Sequence, residues 1–325
     1  MVIRKAVITA AGRGVRLYPV ADTVQKGMLP LMDRDGLTKP VIQIIIEEAL
    51  DSGIEEVCIV CAPGDEERYR AQLSGLRDNL LEGYTGEDWA KTQAGRIDTI
   101  LRRLSFAVQK EPLGYGHAVW CAHEFAGNDF FLLLLGDHLY LSHVPGQRCA
   151  QQLIHLATQE QCAVAAVNPT REHLVGGYGT LSGKRLPDLP GVYQIEKIIE
   201  KPSISLAETE LQTPGLRTGH YLCLFGMHVM SPRIFSLIEE NMKSGGKTGQ
   251  EIQLTPALQE LARREKYLAA ELRGTRYDIG SRYGLLLAQI ALGMAGRDRE
   301  VMLAEIVALM AEAARTREGM TEWPR

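Results

Sequence analysis

The chain has 325 residues, 45% of them hydrophobic and 23% charged, with a net charge of −4. That is enough apolar material for a sizeable core, in one large α/β domain or two small ones. The mild acidity gives no support for nucleic-acid binding or a polybasic membrane patch, so any phosphorylated ligand would need a local cluster of cations. No apolar run reaches the roughly 18–20 residues of a spanning helix, and Met1–Lys5 leads into a strand-like run with no signal-peptide region before it. A cytoplasmic protein is expected. Among six cysteines, Cys58 and Cys61 form a C-x-x-C inside VCIVCAP, which reads as a buried strand. Residues three apart on a strand face opposite sides, so reduced structural thiols are expected rather than a metal site or a disulfide.

Taken in chain order, the apolar run Ala6–Ala10 breaks at Ala11-Gly12-Arg13-Gly14 and then delivers Arg16 and, within KGMLPL, Lys26. Glycines let backbone N–H groups approach a ligand without a Cβ in the way. Two cations beyond the end of a buried strand suit a polyphosphate. A dinucleotide fingerprint would want Gly or Ala where Leu17 stands, and no G-x-x-x-x-G-K-[ST] loop is present. Strand-like runs recur at 5–10, 54–62, 104–109, 129–135 and 162–167, with helix-like segments at 40–52, 115–125 and 147–159. This alternation predicts a mostly parallel sheet covered by helices on both faces.

Residues 76–102 show no clear periodicity and read as an excursion or flap, and 177–230 as shorter strands in a mixed-sheet subregion. Near 248, a capping box Thr248-x-x-Glu251 followed by Thr255-Pro256, an N-cap and N1 pair, predicts two short helices. Residues 298–316 carry apolar side chains at helical spacing. Packing on its own domain is the expected role of that helix, and a homo-oligomer contact the alternative.

Two aspartates stand out. Asp137 directly follows the apolar run Leu132–Gly136, at the strand edge where open α/β sheets bind ligands. Asp278, in Tyr277-Asp278-Ile279-Gly280, follows a strand-like run ending near Leu272. Together they could share one Mg²⁺ with phosphate oxygens. Asp278 could instead cap a helix opening at Gly280-Ser281.

The motifs AAGRGVRLYP, KGMLPL, LGYGHAVWCAH, LLGDHLY, EKP, QEIQLTPAL and YDIGSRYGLLLA occur in that order across roughly residues 3–290. With them the chain resembles the sugar-nucleotide pyrophosphorylases, and among these the bacterial UTP–glucose-1-phosphate uridylyltransferase branch. The resemblance implies a Rossmann-like nucleotide-diphospho-sugar transferase fold. Its catalytic domain would span 1–296, with a nucleotide side to about 170, a sugar side at about 171–280 and a helical extension over 297–325. It also implies Mg²⁺-dependent transfer from UTP to glucose-1-phosphate. Arg16 and Lys26 would hold the triphosphate, while Ala10, Ala11, Gly12, Gly14, Gly114 and Gly116 would line the nucleotide and Gln109 would read the uracil edge. Gly179 and Glu200 would contact the sugar, Lys201 the sugar phosphate, and Asp137 and Asp278 the metal. His117 is expected to satisfy a local backbone bond.

Several positions depart from the uridylyl pattern. Val15 replaces the usual Thr, Gly27 the usual Glu, and Gly136–Tyr140 is closer to the adenylyl-type relatives than to P-D-V. Arg34–Thr38 looks like a short insertion. These bear on base and sugar choice, leaving dTTP, ATP or another hexose phosphate as alternatives. A sugar-nucleotide-binding regulator without turnover is a reading of a different class; a nicotinamide oxidoreductase is a remote third. The segment after the last motif is too short for the β-helix of ADP-glucose and mannose-type relatives.

Overall fold

Strand β1 (Lys5–Thr9) is followed by a small hairpin, β2 (Pro30–Met32) and β3 (Thr38–Pro40), and then by β4 (Glu56–Cys61), β5 (Leu104–Val108) and β6 (Phe131–Leu135). In the computed structural model, which describes residues 1–12, 24–244 and 251–319, β5, β4, β1 and β6 lie side by side and parallel. Ala6–Ile8 and Leu132–Leu134 are wholly enclosed, as continuous apolar strands covered on both faces should be. Gly14, Val15, Arg16 and the Thr248 half of the capping box lie outside the described residues.

The remaining strands are β7 (His138–Ser142), β8 (Ala163–Arg171), β9 (Gly179–Arg185), β10 (Val192–Glu200), β11 (His220–Met230), β12 (Tyr267–Glu271) and β13 (Gly274–Asp278). The nine-stranded sheet runs β5-β4-β1-β6-β11-β8-β12-β10-β9. Its second half is mixed: β11 is antiparallel to β6 and β8, and β10 to β12 and β9, while β8 and β12 are parallel. Mixing thus reaches the centre of the sheet through β11. Apart from the sheet, β7 and β13 pair antiparallel as a two-stranded ribbon.

Helices α1 (Val41–Leu50), α2 (Asp65–Gly83) and α3 (Asp88–Arg103) follow the first strands. Residues 76–102 are therefore a helical hairpin and not a flap. The apolar marks on α3 are Ala90, Ala94, Ile97 and Ile100, one buried face written largely in small residues, and α2 buries only Tyr69 and Leu73. So thin a stripe carries little hydropathy signal. The segment expected to be one helix over 115–125 divides into α4 (Tyr115–Trp120) and α5 (His123–Ala126). Then come α6 (Cys149–Glu160), α7 (Ile204–Glu210), α8 (Arg233–Ser244), α9 (Thr255–Arg264), α10 (Gly284–Ala295) and α11 (Arg299–Gly319). Apolar clusters form on both sheet faces, one including α1, α2, α3 and α6, the other α4, α5, α8 and α9.

Among the described residues one helix, α9, lies where two were expected; Glu251–Gln253 have no regular secondary structure and Leu254, not Thr255, is the residue before the helix. Helix α11 meets its own domain at Met302, packed near Gly293, and leaves Val301, Val307, Leu309 and Met310 largely exposed. The expected one-sided packing is not what this helix makes. Among the described residues no helix is long and apolar enough to cross a membrane. All six cysteines are free thiols.

The hairpin following Lys26 is anchored by a buried ion cluster. Lys39, 4% exposed at its side chain, bonds Asp33 at 2.8 Å, Asp35 at 2.7 Å and Glu47 of α1 at 2.9 Å. Residues Arg34–Thr38 form the turn and start of this hairpin, and the Arg34 carbonyl accepts from the Arg297 backbone N–H. Burial alone would raise the Asp33 carboxyl; the Lys39 ammonium outweighs it and holds it below its usual value. Removing one partner of such a cluster strands the other charges in the interior. Lys39→Met should therefore cost about 3–5 kcal/mol at neutral pH. In the native protein Asp33 contributes stability above the ordinary carboxylate range, lost as pH falls through its lowered value. In the variant the stranded carboxylates rise instead, so the stability gap should narrow from about pH 8 to about pH 5 in urea unfolding. A gap constant with pH would contradict this.

Candidate active site

The site grows from the carboxyl ends of β1 and β6. The Gly136 N–H donates to the Thr9 carbonyl at 2.9 Å. A Cβ at Gly136 would sit 2.8 Å from the Thr9 oxygen and the Ala10 Cβ, so only glycine lets the two strand ends meet. The next residue, Asp137, thereby emerges at the sheet edge where α/β proteins bind ligands. Its Oδ2 lies 3.0 Å from Lys26 Nζ and its Oδ1 2.9 Å from His138 Nδ1. Both charged side chains are mostly enclosed, Asp137 at 20% and Lys26 at 16% exposed. Burial by itself would raise the Asp137 carboxyl, but the His138 ring and the Lys26 ammonium prevail and hold it well below the usual carboxylate range.

Asp278 ends β13 directly opposite His138 in the ribbon, and the Ile279 N–H donates to the Asp137 carbonyl at 3.0 Å. One ligand atom each from Asp137, His138 and Asp278 falls within a 4.8 Å span. That spacing fits a single cation, and two carboxylate donors are what a hard ion such as Mg²⁺ prefers. Asp278 Oδ1 also accepts from the Gly280 N–H at 2.8 Å, tying down the following turn. It does not cap a helix at Gly280, because α10 starts at Gly284.

A second cluster lies at the end of β10. Glu200 pairs with Gly179 of β9, and its Oε2 accepts from the Thr255 hydroxyl at 2.6 Å. Thr255 thus spends its side chain on Glu200 and not on capping α9. A Cβ on Gly179 would lie 2.8 Å from Leu224 Cδ1 and 3.1 Å from Glu200 Oε2. Lys201 Nζ stands 3.7 Å from Glu200 Oε1, with its side chain 61% exposed. Its backbone is left-handed, at φ 44°, and its N–H donates to the Tyr178 carbonyl. Such a conformation costs a non-glycine residue on the order of 1–2 kcal/mol, and strain of this kind gathers at functional sites. Nearby, the Arg276 guanidinium stacks 4.3 Å over the Tyr178 ring and donates to the Leu224 carbonyl at 2.7 Å. Half-buried Tyr115, bonded to Thr9, feels the charges of both Asp137 and Glu200, which raise its hydroxyl pKa further after burial has done so. Tyr115 therefore lies within electrostatic reach of both clusters.

The third group is tightly self-paired. Gln109 Nε2 donates to the Gly114 carbonyl at 3.0 Å and lies 3.1 Å from His117 Nδ1. His117 is thus held by a side chain and not by the expected backbone bond. A Cβ on Gly114 or Gly116 would lie 2.8 Å from the backbone of Ile252 or Gln253. Close approach at these two glycines is made by the 252–253 segment, whose Ile252 carbonyl also accepts from the Gly116 N–H. Gly12 differs: a Cβ there would meet nothing within 4 Å among the described residues. Ala10 is fixed beside it by an N–H bond to the Val60 carbonyl at 2.7 Å, and Ala11 links the two.

With this geometry in place, likeness to known proteins is informative. The profile described as nucleotidyl transferase matches residues 5–292. The chain belongs to that family. UTP–glucose-1-phosphate uridylyltransferase YngB of Bacillus subtilis is 35% identical over 296 residues, covering 90% of each chain. The UTP–glucose-1-phosphate uridylyltransferase of Streptococcus pneumoniae is 32% identical over 291 residues, covering 89% of each. Among solved structures, a UDP-glucose pyrophosphorylase complexed with UDP-glucose superposes with TM-score 0.70 at 30% identity, covering 89% of this chain and 98% of that one. A UTP-bound relative from Acinetobacter baumannii gives TM-score 0.73 at 26% identity, covering 94% and 99%.

Four side chains at these clusters escape a reading of the sequence: His138, Thr255, Tyr178 and Arg276. For Arg276 a signal existed, since it is two residues before Asp278 and so shares its strand face. The pairing at Asp137 can be tested directly. In Lys26→Met the carboxyl loses its lysine partner, so its pKa should move up towards the ordinary carboxylate range in a ¹³C NMR titration without divalent metal. An unchanged pKa would show that Lys26 does not carry the interaction.

Proposed function

We propose that the chain is a UTP–glucose-1-phosphate uridylyltransferase, joining UTP and glucose-1-phosphate into UDP-glucose and pyrophosphate. The observation that carries the reading is the pair of clusters, Lys26, Asp137 and Asp278 in one and Gly179, Glu200 and Lys201 in the other. Relatives of that activity, alike over nearly their whole length, support it. A phosphate oxygen of glucose-1-phosphate attacks the α-phosphorus of UTP in line. A new P–O bond forms as the bond to the β-phosphate bridging oxygen breaks, and pyrophosphate leaves with that electron pair. The attacking oxygen is already anionic, so no general base is required; positioning and charge neutralisation dominate the barrier.

In this reading Lys26 steadies the UTP phosphates, together with Arg16 and Gly14, which lie outside the described residues. Asp137 and Asp278 would hold Mg²⁺, which when bound supplies positive charge between the phosphates of the two substrates. Lys201, held out on its left-handed backbone, binds the sugar phosphate. Glu200 accepts from sugar hydroxyls through the oxygens that its Thr255 bond leaves free, and Gly179 meets the sugar with its backbone. Ala10, Ala11 and Gly12 offer backbone groups to the base at the carboxyl end of β1. Gln109, Gly114 and Gly116 shape the wall of the base pocket, with Gln109 keeping its amide oxygen for the uracil edge.

The extension at 297–325 contributes no group to this machinery, and contact between copies through the exposed apolar side chains of α11 is its proposed role. Free thiols throughout support a cytoplasmic setting. Initial rates of pyrophosphate release test the substrate assignment. UTP with glucose-1-phosphate should exceed dTTP, ATP and GTP at equal concentration. A clear preference for a purine triphosphate would overturn the base assignment and leave the reaction class standing.

A further inference from the structure

A histidine directly follows the first aspartate, and its ring is anything but loose. His138 is 8% exposed. It opens β7 opposite Asp278, and its Nδ1 lies 2.9 Å from Asp137 Oδ1. An ionised carboxylate can only accept, so the ring donates through Nδ1–H. The opposite side of the ring is walled by Gly226. That residue sits at φ 78° where the register of β11 slips between Leu224 and His228. A Cβ on Gly226 would come within 3.2 Å of the ring's Cδ2. Gly226 is in turn pinned by the Tyr140 hydroxyl, which donates to its carbonyl at 2.7 Å from the next position on the same face of β7. The chain of contacts Tyr140–Gly226–His138–Asp137 therefore leads from the buried ribbon to one oxygen of the carboxylate.

We infer that His138 is a positioning residue that fixes the rotamer of Asp137, occupying Oδ1 so that Oδ2 is presented towards Lys26 and the proposed metal position. The inference rests on the reading of Asp137 and Asp278 as a metal pair. A carboxylate in the two-residue turn between β6 and β7 has two rotatable bonds and no backbone bond to its side chain among those the structure shows. Locking it ahead of time removes an ordering cost from metal binding. Partners of this kind, one shell out from the ligands, change metal affinity by roughly 10–100-fold when removed.

Two substitutions separate the donor from the ring. His138→Asn keeps an N–H donor close to the place of Nδ1, whereas His138→Leu keeps bulk and removes the donor. Mn²⁺ binding, followed by electron paramagnetic resonance without substrates, should weaken by roughly tenfold or more in His138→Leu and stay close to wild type in His138→Asn. Wild-type affinity in His138→Leu would overturn the inference, as would an equal loss in both variants, which would mean that the ring itself is a ligand. If His138→Leu does not fold, ¹⁵N NMR of the intact wild-type protein still decides. Nδ1 should carry its proton with and without Mg²⁺, and a proton lost on adding metal would mark a ligand and contradict positioning. Asp137→Asn is the control for the underlying reading. If it binds Mn²⁺ as wild type does, the metal pair itself fails; if it loses Mn²⁺ while His138→Leu does not, only the role of His138 fails.

Discussion

Two carboxylates brought within reach of one ion repel each other, and the structure meets that repulsion before any ligand arrives. Lys26 and His138 each take one oxygen of Asp137, and Asp278 faces the same ring across the ribbon. Like charges this close would otherwise drive one carboxyl towards its protonated form. Here the cation and the ring donor win over burial, so Asp137 stays ionised. Everything else in the fold serves to bring these groups to one place. Gly136 allows β6 to end against β1, the ribbon of β7 and β13 sets the two aspartates side by side, and the buried Lys39 cluster anchors the hairpin that follows Lys26.

The cluster at the end of β10 follows a different logic, in which backbone strain and side-chain pairing replace charge clustering. Lys201 adopts a left-handed backbone that its own side chain disfavours, and the Tyr178 carbonyl holds it there. Thr255, from a distant part of the chain, fixes Glu200. Arg276 joins the two sides, since it lies on the strand that ends in Asp278 and stacks on the tyrosine next to Gly179. Arg276 thereby couples the strand that ends in Asp278 to the segment that carries Tyr178.

Much of this was legible in the sequence, for identifiable reasons. The runs Ala6–Ile8 and Leu132–Leu135 are apolar without interruption, which marks strands buried on both faces and so places Asp137 at a sheet edge. The α2–α3 hairpin was not legible, because α2 buries only Tyr69 and Leu73 and half of the apolar stripe on α3 is alanine. Nor was the use of Gly114 and Gly116, whose missing side chains make room for the 252–253 backbone, a neighbour far away in sequence. Thr255 illustrates the same limit. Its sequence context fits a helix cap, yet a carboxylate from β10 lies closer and takes the hydroxyl. Local patterns report local bonds; where a long-range partner competes, the fold decides.

The central claim is that Asp137 and Asp278 act as one unit towards a divalent cation. Asparagine keeps the shape of each side chain while removing its charge, and it caps a turn as well as aspartate does. Activity titrated against Mg²⁺ in wild type, Asp137→Asn, Asp278→Asn and the double variant tests the claim most directly. The account predicts a steep fall in each single variant and a double variant little worse than the poorer single, as for residues that function together. A wild-type Mg²⁺ dependence in Asp278→Asn would contradict it and leave Asp278 as no more than the anchor of its turn.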